Sequence, residues 1–251
     1  MSALPKLNVM QRILFIIAAL YVLYSCSYPN IEMVYVEGGS FQMGSNDICA
    51  DPDEQPLHNE YVHDFFIGKY EVTQAQWKRI MKNPSYFRGN DLPVECVSWD
   101  DIQIFIKRLN AKTGQQYRLP TETEWEYAAK GGHLGNSHRY SGSDRLEEVA
   151  WFLENSDSTS HKCGNRQPNE LGIYDMCGNV HEWCSDYYDS LRYNKMTATP
   201  VSANSEYVFR GGSWLSGKKH CRIANRNHTS GNMRHYTLGF RLAADSIKNK
   251  D

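Results

Sequence analysis

The chain has 251 residues and a formal net charge of −2, with no basic block, which excludes the electrostatic footprint of a nucleic-acid partner. Its length fits one domain after a short amino-terminal segment, and no segment beyond that is apolar enough to span a bilayer. Sixteen Tyr and six Trp are many for this length, and most of these rings belong in a core.

The chain opens with Lys6 and Arg12 and the apolar run Ile13–Leu23. The run is shorter than the roughly 20 residues of a membrane span and suits a signal-peptide core. It ends Leu23-Tyr24-Ser25-Cys26. A small residue followed by Cys after an apolar core resembles a bacterial lipoprotein cleavage site. The expected organisation is therefore a signal peptide over residues 1–26 with a lipidated Cys26, a linker over 27–32 and one domain over 33–251. A plain signal peptide with an incidental Cys26 is the alternative. Acyl chains on Cys26 would anchor the domain without a span.

Met33–Val36 and Ser40–Met43 flank Gly38-Gly39 and predict a hairpin. Val62–Tyr70 alternates loosely. Thr73 is placed to cap a helix over Gln74–Lys82. Ser98 is placed to cap a second over Asp100–Lys112, where Ile102, Phe105, Ile106 and Leu109 recur at helical spacing and Gly114 follows. Thr121-Glu122-Thr123-Glu124 is a capping box that opens a short helix through Ala128, stopped by Gly131-Gly132. From Gly131 to Tyr207 turn residues dominate, and so long a loop region is functional or ion-bound. Tyr207–Phe209 and Leu238–Leu242 read as closing strands. Cys49, Cys96, Cys163, Cys177, Cys184 and Cys221 show no zinc spacing and leave their pairing open.

Several motifs occur in a fixed order: Met33–Ser45, Tyr70-Glu71-Val72-Thr73, Pro93–Trp99, Arg118–Ala128, Pro168–Gly172, Gly178–Trp183, Arg210-Gly211-Gly212-Ser213-Trp214 and Gly239-Phe240-Arg241. Together they resemble the formylglycine-generating enzyme, or sulfatase-modifying factor, family over about Met33 to Asp245. The resemblance implies an α+β, C-type-lectin-like fold with little regular secondary structure and long ordered loops.

The resemblance also assigns sites. It implies calcium at Asp175 and Glu182 through carboxylates and at Gly178 and Val180 through carbonyls, consistent with calcium's demand for oxygen donors. Without calcium, Asp175 would cap a turn and Glu182 would form a salt bridge. A second calcium site would draw on the region near Asn155. The catalytic assignments are Ser213 and Cys221. In the oxidase two thiolates bind copper(I), and soft thiolates select that ion. Here Cys221 holds the second thiolate position and Ser216 stands in the first, so half of the copper site is missing. Cys177 or Cys184 could stand in only if the fold brings them close. His181 stands where the family has Trp, as a ligand, a base or a polar surface substitute. Arg222 and Arg226 are expected to brace acidic loops such as Asp175–Asp189. The function that follows is an exported, lipid-anchored binding or scaffold module at the cell envelope, with a protein or peptide partner and no copper oxidation. An oxidase that converts a sulfatase cysteine to formylglycine, or a related oxidoreductase in the same cleft, is the alternative.

Overall fold

Three polar side chains decide where the helices of this computed structural model begin. Thr73 caps α1 (Gln74–Lys78), Ser98 caps α2 (Trp99–Thr113) and Thr121 caps α3 (Glu122–Ala129). In each, the cap oxygen accepts a backbone N–H three residues on, and the residue there reaches back to the cap's own N–H. α2 buries the predicted face of Ile102, Phe105, Ile106 and Leu109 and ends at Gly114 with a φ of 73°. α1 is shorter than the predicted Gln74–Lys82. The Trp77 ring stacks on Phe105 at 4.7 Å, and its N–H donates to the Lys82 carbonyl at 3.0 Å, which folds the chain back under the indole. The short helix α4 covers Leu146–Val149.

The structure describes residues 30–194 and 206–246, and from Ile31 the chain folds as one unit. The signal peptide, Cys26 and linker residues 27–29 lie outside the described residues. One antiparallel sheet contains β1 (Met33–Val36), β4 (Phe65–Gly68), β10 (Ala243–Asp245) and β5 (Tyr117–Arg118), in that order. A separate pair joins β2 (Gly39–Met43) to β3 (His58–Val62). The third sheet runs β8 (Arg226–Ser230), β7 (Glu206–Arg210), β6 (His181–Tyr187) and β9 (Leu238–Gly239), with β6 and β9 parallel. This is the expected α+β architecture, rich in ordered loop.

Three strand predictions need correction. The hairpin about Gly38-Gly39 does not form, because β1 and β2 enter different sheets. Gly38 is instead a crossing point. A Cβ there would lie 2.4 Å from the Val62 carbonyl oxygen, and its N–H donates to Asp64 at 2.9 Å. The closing strand Leu238–Leu242 divides: β9 joins one sheet, β10 another, and Arg241 bridges between them. The turn-rich stretch contains β6, a central strand whose Trp183 and Cys184 are fully buried. Its sequence, His-Glu-Trp-Cys-Ser-Asp-Tyr, lacks a period-two pattern, and with the turn residues ahead of it that hid the strand.

Long loops need fixing, since buried backbone groups must be paired. Buried arginines supply much of that fixing. Arg210 donates to Glu122 at 2.9 Å, to Glu126 at 2.5 Å and to the Ile223 carbonyl at 2.9 Å. Arg226 grips Glu122 through two bonds of 2.7 and 2.8 Å. Arg222 grips Glu54 at 2.6 and 2.7 Å. The expected bracing is therefore bidentate, but its carboxylates come from Glu54 and Glu122 rather than from Asp175–Asp189. Only the Asp189 carbonyl takes part, accepting from Arg226 at 3.2 Å.

Burial alone would raise the Glu122 carboxyl, but Arg226 and Arg210 overcome that and hold it at about 2, against 4.5 when unfolded. A depressed carboxyl stabilises the fold fully above 4.5 and loses that contribution as pH falls toward 2. At neutral pH it is worth about 3 kcal/mol. Glu122→Gln should cost about 3–5 kcal/mol at pH 7, since Arg210 and Arg226 lose their shared counter-charge. The difference from wild type should narrow as pH falls below 4. Urea unfolding at pH 7, 4 and 3 measures this, and a pH-independent difference would show that the ion pairs contribute only packing.

Candidate functional site

The segment after β7 turns tightly, and its two serines face each other. The Ser213 N–H donates to Ser216 Oγ at 3.0 Å, and the two hydroxyl oxygens are 3.1 Å apart. β6 presents His181 to the same point, with Nε2 3.5 Å from Ser216 Oγ. The ring lies edge-on to Phe209 at 4.9 Å, and Nδ1 is buried with no hydrogen-bond partner among the described residues. His181 is thus a half-buried member of the cleft and not the surface substitute that its isolation in sequence suggested. Burial first, then the neighbouring His235 and His220, push its pKa down to about 3, so the imidazole is neutral.

Cys221 closes the segment from beneath. It is fully buried, and its Sγ lies 3.9 Å from the Ser216 carbonyl oxygen. Burial, reinforced by Cys177 nearby, pushes the thiol far up and keeps it protonated. The six cysteines from Cys49 to Cys221 are all free. Cys184 is also buried, in the field of Glu122 and Asp186. The residues present do not supply the two thiolates that copper(I) takes here: one position is a hydroxyl already bonded to Ser213, and among the described residues no three His, Cys, Asp or Glu side chains are grouped to hold a metal.

The loop assigned to calcium is bent sharply. Asp175, Gly178 and Asn179 all have positive φ, at 57°, 76° and 55°. Gly178 is obligatory, because a Cβ would lie 2.2 Å from the Trp151 carbonyl oxygen. Asp175 Oδ2 accepts from the Gly164 N–H at 2.6 Å, whereas its Oδ1 is buried with no partner among the described residues. Glu182 is engaged otherwise. Both its oxygens take Arg241 at 2.6 Å, and the Trp125 indole donates to one of them at 2.6 Å. The open oxygen of Asp175 fits a hard cation; the carboxylate of Glu182, as placed, does not. The Asn155 amide is engaged in its own turn, with Phe152 and Ala150.

A third acid sits here that had no assigned role. Glu71 is buried and holds the loop, accepting from the Val180 N–H at 3.1 Å, the Asn179 amide at 2.7 Å and the Cys163 thiol at 3.3 Å. Its motif Tyr70–Thr73 was visible in sequence, but nothing local told what it touches. Burial, then Asp175 and Glu182, push Glu71 well up, and burial raises Asp175 to about 6. Glu71, Asp175 and Glu182 all crowd around Arg241.

The family described as the sulfatase-modifying factor enzyme 1-like domain matches residues 24–246. The chain belongs to that family. It is 32% identical to the "Chaperone protein LppX" of Paenibacillus barcinonensis, over 84% of this chain and 90% of that protein. It is 31% identical to the "Serine/threonine-protein kinase pkn1" of Chlamydia pneumoniae over 84% of its own length, but spans 38% of that protein. Among solved structures, Treponema denticola variable protein 1 superposes with a TM-score of 0.77 at 29% identity, over 85% of this chain and 95% of the other.

Within this sulfatase-modifying-factor fold a cavity lies away from the two serines. It holds about 610 Å³ and is lined by Phe41, Lys130, Arg139 and Arg222, among others. Its cations are already paired: Lys130 with Glu126, Arg139 with Asp47 and Arg222 with Glu54. The chemistry-bearing departures from the family, His181 and Ser216, meet instead in the cleft of Ser213 and Cys221.

Proposed function

We propose that this sulfatase-modifying-factor domain does not carry out copper oxidation and serves as a binding or scaffold module at the cell envelope, held there by lipid on Cys26 and engaging a protein or peptide partner. The observation that carries this reading is the pair of hydroxyls at Ser213 and Ser216, 3.1 Å apart, over a buried, protonated Cys221. A hard hydroxyl does not replace a thiolate toward copper(I). Support comes from the chaperone LppX, which matches along 90% of its length, and from a kinase-named relative in which this domain occupies only part of the chain. The second reading, an oxidase of sulfatase cysteines, is favoured by the retention of Ser213 and Cys221.

Incubation with copper(I), dioxygen and a C-x-P-x-R peptide separates the two. The peptide mass should stay unchanged, and aldehyde formed over repeated turnovers would overturn the module reading. Calcium is proposed at Asp175, whose open oxygen calls for a cation, with the carbonyls of Gly178 and Val180 as further donors; Glu182 would join only on leaving Arg241. Calcium should raise the melting temperature, and Asp175→Asn should abolish the rise. Equal melting with calcium and with chelator would remove the site. Cys26→Ala should move the protein from the membrane fraction to the soluble fraction; unchanged fractionation would remove the lipid anchor.

A further inference from the structure

Four buried polar atoms without a hydrogen-bond partner among the described residues belong to one loop and the turn it packs on. They are Trp151 Nε1, Ser160 Oγ, Arg166 Nε and Asp175 Oδ1. Buried polar groups are ordinarily paired, so such a cluster needs an explanation. The Trp151 indole lies at its centre. The His161 ring stacks on it at 3.7 Å and 10°, and the Arg166 guanidinium carbon lies 3.6 Å from the ring centre. Two groups so close to one ring take opposite faces. The negative face of an indole attracts a cation, which holds Arg166 in place.

This sandwich is tied to the loop assigned to calcium. The Trp151 carbonyl accepts from the Asn179 N–H at 2.8 Å, and the His161 N–H donates to Asn179 Oδ1 at 2.8 Å. The Gly164 N–H donates to Asp175 Oδ2 at 2.6 Å, and Arg166 follows two residues later. Arg241, the other cation of the pocket, is taken up by Glu182 through two bonds of 2.6 Å. Burial pushes the Asp175 carboxyl up to about 6, and the Gly164 N–H, Arg241 and Arg166 pull against that rise. Arg166 does so from its place on Trp151, and Asp175 Oδ1 stays open. A fixed positive charge therefore lies near the open oxygen without filling it.

We infer that Arg166 sets the calcium affinity of the Asp175 loop: it is the resident counter-charge of Asp175, and a calcium ion on the open oxygen binds against its repulsion. The inference rests on the calcium reading and adds the residue that fixes the concentration at which the ion enters. The expected affinity is that of extracellular calcium modules, about 0.1–1 mM, and not that of tight buffer sites. Removing one unit charge within about 10 Å of a divalent ion in a partly buried site changes its affinity by about tenfold.

Thermal melting of the full-length protein at pH 7 over a series of calcium concentrations tests this. Arg166→Met keeps an unbranched apolar side chain against the indole and removes the charge. Its half-saturating calcium concentration should fall about tenfold. Arg166→Gln should behave in the same way, and Arg166→Lys, which keeps the charge, should match wild type. Arg145→Met removes an arginine that pairs with Glu148 on the surface and should leave the wild-type value unchanged. Equal half-saturation in wild type and in both neutral variants would overturn the role of Arg166 and leave the calcium site standing. An equal fall in Arg145→Met would also overturn it, by showing an effect of net charge alone. A response in the neutral variants without one in wild type would support it. No response in any of these proteins would remove the calcium site and this inference with it.

Discussion

Pairing of buried arginine with buried glutamate is the interaction on which this fold depends. Arg210, Arg222, Arg226 and Arg241 are almost wholly out of water, and each meets a buried carboxylate. Their partners lie far along the chain: Glu122 is 88 residues from Arg210, and Glu54 is 168 from Arg222. Arg210 and Arg226 thus tie β7 and β8 to α3, and Arg222 and Arg241 tie their segments to Glu54 and to β6. Such pairs add little net stability over apolar packing, because removing both charges from water offsets their attraction. Breaking one is costly, since the remaining charge is left uncompensated. Their effect is to specify one arrangement of the loops over others in a fold with short strands and few helices.

The same logic shapes the cleft. Arg241 holds Glu182, Glu182 directly follows His181 at the start of β6, and the Gly211–Ser216 turn follows the strand paired beside it. The position of His181 against Ser216 is thus set by a buried ion pair and a β ladder and not by flexible loop packing. His181 and Ser216 are the two visible departures from the family pattern, and they are neighbours at 3.5 Å. In sequence they look like two separate losses. In the fold they are adjacent, joined by a single contact.

Where the sequence was informative, local chemistry was sufficient. The three helix starts follow from Thr73, Ser98 and Thr121 because a cap satisfies donors within its own first turn. The buried face of α2 follows from its spacing. Strand partners were not legible in the same way. The Gly38-Gly39 pair carries a hairpin signal, but the backbone of Val62 and Asp64 presses on it and sends the flanking strands into different sheets. β6 was hidden because His181–Tyr187 carries no period-two pattern, so only the sheet around it marks it as a strand.

By itself the sequence determined the family, the α+β class and the helix caps, all of which depend on residues close together in the chain. The tertiary structure alone decided which carboxylate each arginine takes, that Glu182 belongs to Arg241 while an oxygen of Asp175 stays open, that Glu71 joins the acidic pocket, and that Ser213, Ser216, His181 and Cys221 share one cleft. Those outcomes are pairings between groups tens of residues apart. Charge, burial and hydrogen-bond geometry select them only once the chain has closed on itself.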